Sequence, residues 1–156
     1  MYKDHLGRSV LVGDGSYGFK VVIDGGDLLV ENVNATWFGG SDDPDDDGNT
    51  ASGIRNDQDG PHTPLGCALP IPGSPKTVGT PFPRLPWLTR VRVYSLETGR
   101  TASVPLIDIG PAKPPNANAA LDLTQSAFAA LGGNKKTGRI KVNYRVIGGV
   151  AFLLRT

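Results

Sequence analysis

The sequence has a single cysteine, so no disulfide can form within the chain. Cys67 has no neighbouring Cys or His that would complete a metal site, and we expect a small buried residue there. The chain also lacks an apolar run of the roughly 18 residues that a membrane-spanning helix needs. Its first residues lack the apolar segment and cleavage site of a signal peptide. We therefore expect neither a disulfide-stapled scaffold nor a membrane span.

The sequence also lacks an excess of positively or negatively charged residues. The 16 Lys and Arg residues nearly balance the 15 Asp and Glu residues, which leaves a formal net charge of +1. Nothing in this balance favours nucleic acid as a partner. At 156 residues the chain is long enough for one substantial core. The 21 glycines and 13 prolines predict many turns and few long helices.

Short apolar runs separated by glycine turns predict an all-β protein. In the first part of the chain we expect strands at 9–12, 18–23, 28–33 and 35–38, with "DGGD" at 24–27 as a hairpin turn. Further strands are expected around "TRVRVYSLETGRTASVPLIDIG" (89–110) and "GRIKVNYRVIGG" (138–149). Residues 39–66 and 70–86 read as long loops, because they are rich in Asp, Gly and Pro and show no periodicity.

One short helix is expected in "LTQSAFAALGG" (123–133). Asp122 or Thr124 can cap its first turn, and Gly132 suits the left-handed residue that ends a helix. For Asp122 the cap is the favoured interpretation, since a carboxylate is stabilised by the free amides of a helix start.

Asp108 stands out because it interrupts the apolar run "VPLIDIG" (104–110). A carboxylate in such a strand costs several kcal/mol unless it is paired or neutralised. Two explanations remain open: Asp108 accepts main-chain hydrogen bonds at a strand end, or its perturbed ionisation serves catalysis or ligand contact.

Five segments occur in an order that resembles the double-psi β-barrel of the rare lipoprotein A-like and expansin-like superfamily. They are "ATWFGG" (35–40), "TASG" (50–53), "LPWLTRVRVYSLETGR" (85–100), "VPLIDIGPA" (104–112) and "ALDLTQSAFAALG" (120–132). The resemblance implies a barrel of about six strands with one short helix at residues 35–156. Residues 1–34 lie outside it and are expected to form an N-terminal β-hairpin extension.

The resemblance implies that the protein binds or cleaves cell-wall glycans. Its enzymes include lytic transglycosylases that cut peptidoglycan, and the essential acid of the family's Asp-x-Gly-Pro motif corresponds to Asp108. Ile54 occupies a position where cleaving members often carry Glu, which favours the alternative of a non-catalytic module that binds wall polysaccharide or protein, as an inhibitor or structural component. No cofactor is implied. We expect the chain to act outside the cytoplasm, in the cell envelope, secreted or delivered by a phage.

A lone acid can support transglycosylation. It protonates the glycosidic oxygen, and its carboxylate then accepts the proton of the sugar's own 6-hydroxyl as that hydroxyl attacks. Hydrolysis of muramidase type ordinarily uses a second carboxylate. Side chains that could contact the glycan are aromatic or polar, with a structural role as the alternative for each. These candidates are Trp37, Thr50, Ser52, Trp87, Tyr94 and Asp122.

The acidic run "SDDPDDDGNTASGI" (41–54) resembles the first half of a calcium-binding loop. Asp43, Asp45 and Asp47 alternate before the turn glycine Gly48. The twelfth position is Ile54 rather than the bidentate Glu of a complete loop. The run therefore predicts either a weak calcium site or a solvated acidic loop.

Overall fold

A computed structural model of the chain describes residues 1–40, 43, 46–58, 62–112 and 119–155. Within them no helix is both long and apolar enough to cross a membrane. The strands are β1 (Tyr2–Lys3), β2 (Ser9–Leu11), β3 (Val21–Asp24), β4 (Asp27–Phe38), β5 (Cys67–Leu69), β6 (Arg90–Ser95), β7 (Thr101–Ile109), β8 (Ala119–Thr124) and β9 (Arg139–Val146). One α-helix, α1 (Gln125–Ala130), follows β8, and short 3-10 helices occur at Pro75–Thr77 and Gly149–Arg155.

Six strands close into a barrel in the order β4-β8-β5-β7-β6-β9, with β9 pairing back onto β4. The β4–β8 and β5–β7 pairs are parallel, and the four other pairs around the barrel are antiparallel. This mixed closed sheet fits the double-psi barrel that the resemblance implied. Strands β1 to β3 extend the sheet from β4 as antiparallel hairpins, which confirms the N-terminal β extension.

The hairpin at "DGGD" forms as predicted, with Asp24 opposite Asp27 and Gly25 at a φ of +63°. The predicted break between strands 28–33 and 35–38 is wrong, because β4 is continuous through it. Irregular pairing with β9 near Asn32 and with β8 near Asn34 accommodates the strand instead. Since β4 also crosses the expected boundary at residues 34 and 35, it belongs both to the extension and to the barrel.

The helix is shorter than predicted, and Asp122 does not cap it. Asp122 lies within β8, and its carboxylate accepts a hydrogen bond from the Thr36 hydroxyl of β4. Thr124 occupies the N-cap position without a side-chain capping bond, and its hydroxyl accepts the Gly66 amide at 3.2 Å. Gly132 has a φ of +81°, as expected for the residue that ends a helix.

The barrel interior is filled by branched and aromatic side chains contributed by every barrel strand. Cys67 belongs to this core with no exposed surface, which confirms the prediction, and burial raises the pKa of its thiol. Tyr144 on β9 is 1% exposed, stacks on Phe82 and donates its hydroxyl proton to the Ala120 carbonyl at 2.7 Å. This bond joins β9 to β8 across the core.

We expect Tyr144→Phe to lower the free energy of unfolding by about 1–2 kcal/mol, because the buried Ala120 carbonyl loses its hydroxyl donor. Urea denaturation of the variant and the parent measures the difference. Tyr94→Phe is the matched control, since Tyr94 is 45% exposed, and its free energy should change by less than about 0.5 kcal/mol. Equal effects of the two substitutions would contradict the structural role of the Tyr144 hydroxyl.

Candidate functional site

Strand register places Asp108 and Asp122 in one row of the sheet. Ala68 on β5 pairs with Asp108 on β7 and with Asp122 on β8. Strands lie about 4.8 Å apart, so the two aspartate Cα atoms are about 10 Å apart, with their side chains on the same face. The Asp122 carboxylate leans towards β7, since a Cβ added at Gly110 would lie 3.6 Å from its Oδ2 atom. We refer to these two carboxylates, which share one row and one face of the sheet, as the carboxylate pair.

Asp108 is anchored through one oxygen. Its Oδ1 atom accepts the amides of Ala51 and Ile109, both at 2.9 Å. Among the described residues no donor reaches Oδ2, and Asp108 is half-buried. Burial raises the pKa of Asp108, the two amide bonds oppose the rise, and the negative charges of Asp46 and Asp47 add to it.

Asp122 is held in a similar way. Its Oδ1 atom accepts the Thr36 hydroxyl, and no donor from the described part of the chain reaches its Oδ2 atom. Burial raises the pKa of Asp122 to about 6; the Thr36 bond opposes this, and the charges of Asp108 and Asp43 reinforce it. Asp122 therefore keeps its proton to a higher pH than an ordinary aspartate.

An open groove of about 640 Å³ adjoins Asp108. Ala51 and Ile109, whose amides bind the Asp108 carboxylate, are part of its wall, whereas Asp108 itself is not. Trp87 and Arg84 form another part of the wall, and both are exposed. Arg84 makes no ion pair with any described residue. The groove thus combines an aromatic ring and a cation that no described residue pairs with, and the carboxylate pair lies next to its wall.

Trp87 is presented by a tight turn at Pro86–Thr89. The Thr89 amide donates to the Pro86 carbonyl at 3.3 Å, and Leu88 has a φ of +69°, which defines a type II turn. The third position of such a turn ordinarily holds Gly or Asn, and a left-handed Leu costs about 1 kcal/mol. Trp87 is 39% exposed and Leu88 56% exposed, so neither is part of the core.

Thr50 and Ser52 close the turn that supports Asp108. The Thr50 hydroxyl donates to the Ile54 carbonyl at 2.6 Å, and the Ser52 amide donates to the Ile107 carbonyl of β7 at 3.1 Å. These bonds fix the position of the Ala51 amide. The hydrogen bonds thus support a structural role for Thr50 and Ser52 in closing the turn. A contact of either side chain with substrate stays a prediction.

Two of the aromatic candidates lie away from the groove. Lys135 places its Nζ atom 4.7 Å from the Trp37 ring, and the Trp37 Nε1 atom donates to the Lys135 carbonyl at 3.4 Å. Tyr94 on β6 contributes to a different surface, a pocket of about 230 Å³ that also contains Arg92 and Arg145. Of the predicted aromatic contacts, only Trp87 lines the groove next to Asp108.

The calcium hypothesis stays a prediction. Asp45 lies outside the described residues, the Asp43 carboxylate accepts the Gly39 amide at 2.8 Å, and Asp47 binds the Asn49 amide at 2.9 Å. In the described part of the chain, no three Asp, Glu, His or Cys side chains converge as a metal site. The nearby Asn56 has a fully buried side-chain oxygen that accepts no hydrogen bond from the described residues.

The sequence does not predict that Asp122 and Asp108 share a row of the sheet. It also does not predict the hydrogen bond from Thr36 to Asp122, the position of Arg84 in the groove wall or the left-handed conformation of Leu88. A signal for Asp122 was present, because "ALDLT" places a carboxylate between apolar residues in the same way as "LIDIG". The role of Thr36 leaves no such signal, since its hydrogen bond to Asp122 joins residues 86 positions apart.

No protein-family model and no curated protein matches this chain. Among solved structures, a Streptomyces papain inhibitor is similar, with 23% sequence identity and a TM-score of 0.46. The match covers 74% of this chain and 92% of that one. The closed six-stranded barrel is established by the strand pairing itself, and membership of the rare lipoprotein A-like superfamily stays a resemblance.

Proposed function

We propose that the chain binds glycan strands of the cell wall and cleaves them by acid–base catalysis at Asp108 and Asp122. The observation that carries this proposal is the carboxylate pair in one row of the sheet. Each member has one hydrogen-bonded oxygen and one oxygen that the described residues leave without a donor. The pKa of each is raised mainly by burial. A carboxyl whose pKa is raised in this way holds a proton at higher pH than an ordinary aspartate does and can pass it to a bound ligand.

In this proposal Asp108 exchanges the proton with the substrate, because it adjoins the groove. Its protonated carboxyl donates to the glycosidic oxygen as the bond to the anomeric carbon breaks. The resulting carboxylate then accepts the proton of the attacking hydroxyl, either the sugar's own 6-hydroxyl or water. Asp122 acts beside it, because a second carboxylate in the row makes complete ionisation of the pair less favourable.

The groove wall supports a sugar polymer as substrate. An exposed tryptophan at an open groove suits stacking against the apolar face of a sugar ring. Arg84 can donate hydrogen bonds to a carboxylate, so the groove suits a glycan that carries acidic substituents, as peptidoglycan does. The family resemblance points to the same class of substrate.

A second candidate is a module that binds wall polysaccharide or protein without cleaving it. The observation in its favour is that two main-chain amides bind the same oxygen of Asp108, which is how a purely structural carboxylate is held. Ile54, where cleaving members of the superfamily often carry Glu, favours it too. The two candidates differ in one measurable property, the release of soluble fragments.

The raised pKa of Asp122 predicts how stability depends on pH. The folded-state pKa is about 6 and the ordinary value is 3.8, so the folded chain retains a proton that the unfolded chain loses. The stabilisation from protonated Asp122 is complete below pH 4 and is lost as pH rises through about 6. We expect Asp122→Asn to raise the free energy of unfolding at pH 7.5 by about 1–2 kcal/mol, because the neutral amide removes the cost of a buried charge.

Denaturation midpoints at pH 4 and pH 7.5 measure this effect, and the advantage of Asp122→Asn should vanish at pH 4. Asp57→Asn is the control, because a hydrogen bond from Arg55 lowers the pKa of Asp57, so its substitution should not stabilise the chain. An Asp122→Asn variant that is less stable than the parent at both pH values would argue against a raised pKa.

Incubation with purified peptidoglycan tests cleavage. We expect soluble muropeptides from the parent chain, at a rate that declines above about pH 6, where Asp122 ionises. Asp108→Asn and Asp122→Asn should each lower the rate at least ~100-fold, since each removes a carboxyl from the proton-transfer pair. Mass spectrometry of the fragments separates anhydro ends, which transglycosylation produces, from the reducing ends of hydrolysis.

Asp57→Asn serves again as the matched control and should cleave at the parent rate, because Asp57 is a surface carboxylate paired with Arg55. Co-sedimentation of the parent chain with peptidoglycan, without any soluble fragment, would select the binding module. If Asp108→Asn and Asp122→Asn both release fragments at the parent rate, the catalytic roles proposed for Asp108 and Asp122 are wrong.

The position of Trp87 predicts which aromatic residue contributes to glycan affinity. Trp87→Ala should weaken binding to soluble glycan strands about tenfold, because a stacking platform in the groove is lost. Tyr94→Ala is the control, since Tyr94 has a similar exposed fraction, 45% against 39%, on a different surface. Isothermal titration calorimetry compares the two, and an equal loss in both variants would be inconsistent with binding at the groove.

A further inference from the structure

Leu88 combines an unfavourable backbone conformation with an exposed apolar side chain. Its φ of +69° lies in the left-handed region, which leucine avoids because its Cβ atom crowds the backbone there. Burial does not compensate for this conformation, since 56% of the residue is exposed. Glycine would adopt the same turn without the steric cost. The leucine therefore adds nothing to the core while lowering the stability of the turn.

Hydrogen bonds hold the Leu88 turn against the strand that carries Asp108. The Leu88 amide donates to the Leu106 carbonyl at 2.8 Å, and the Leu106 amide donates to the Thr89 carbonyl at 2.9 Å. The Thr89 hydroxyl also closes the turn onto the Pro86 carbonyl at 2.6 Å. Leu106 precedes Asp108 by two positions on β7, so the turn and the carboxylate share one rigid support.

We propose that Leu88 is a substrate-contacting residue that extends the Trp87 platform, so that two adjacent apolar side chains contact consecutive sugars of a bound glycan strand. The inference rests on the proposed function for its ligand class. Strained residues that the surrounding hydrogen bonds keep in place are typical of ligand-binding surfaces. Leu88 satisfies this description directly after Trp87, which lines the groove beside Asp108, although Leu88 itself is not part of the groove wall.

The test is a pair of measurements, thermal stability and glycan affinity, on the same variants. Leu88→Gly should raise the melting midpoint by about 2–5 °C, because the left-handed strain disappears, and should weaken binding to soluble peptidoglycan strands at least ~fivefold. Leu88→Asn should behave in the same way, since Asn tolerates the left-handed conformation but is polar. Leu88→Met keeps an apolar side chain and should bind within about twofold of the parent.

Leu96→Gly is the matched control. Leu96 is 44% exposed, follows the opposite end of β6 from the Leu88 turn, and is not among the non-glycine residues with positive φ. Glycine there should lower the melting midpoint and leave glycan affinity unchanged. Opposite changes in stability at the two leucines, with loss of binding only at Leu88, would support the proposal.

Binding is measured with the parent chain and in the Asp108→Asn background, so that substrate stays intact. A parent chain that binds strands but releases no fragments refutes cleavage, and the Leu88 variants are then judged by affinity alone. Unchanged affinity in Leu88→Gly would overturn the role of Leu88 even if cleavage is observed. Failure of the parent chain to bind any strand would overturn both proposals.

Discussion

The register of the closed sheet is the constraint on which the candidate site depends. Asp108 and Asp122 are brought together because each pairs with Ala68, one through a parallel and one through an antiparallel ladder. A slip of one residue in either ladder would send one carboxylate to the other face of the sheet. Ala68 is 2% exposed, and its small side chain leaves room between the two acids. Barrel closure through β4 and β9 holds this register, since no strand of the barrel is left as a free edge.

Local hydrogen bonds lower the cost of burying the two carboxylates, but the pKa of each carboxyl stays raised. The Ala51 and Ile109 amides stabilise ionised Asp108, and the Thr36 hydroxyl stabilises ionised Asp122. These donors are outweighed by burial and by the charges of the neighbouring acidic loop, so the pKa of each carboxyl still rises. Pairing with a cation would instead have favoured the ionised form of both groups.

Patterns within single strands were enough to predict much of the architecture. Alternation in β6 and β9, the "DGGD" hairpin and the burial of Cys67 all depend on neighbours close in sequence. The continuity of β4 was missed, because an irregular ladder can be recognised only once the partner strand is known. Sequence also gave no means of separating Trp87 from Tyr94, since their difference is which surface of the closed barrel each one reaches. Sequence alone favours a helix cap for Asp122, because its partner in the structure, Thr36, is distant in the chain.

Two unfavourable features of this chain lie close to one end of β7. Asp108 is a partly buried carboxylate on that strand, and Leu88 is a left-handed leucine bonded to it through Leu106. Elsewhere the same strand is unremarkable, with Val104 and Leu106 fully buried in the core. Asp108 and Leu88 both lie within a few residues of the groove that Trp87 lines. A buried carboxylate and a strained backbone each lower the stability of the fold. Such residues are expected where a well-packed chain contacts a ligand.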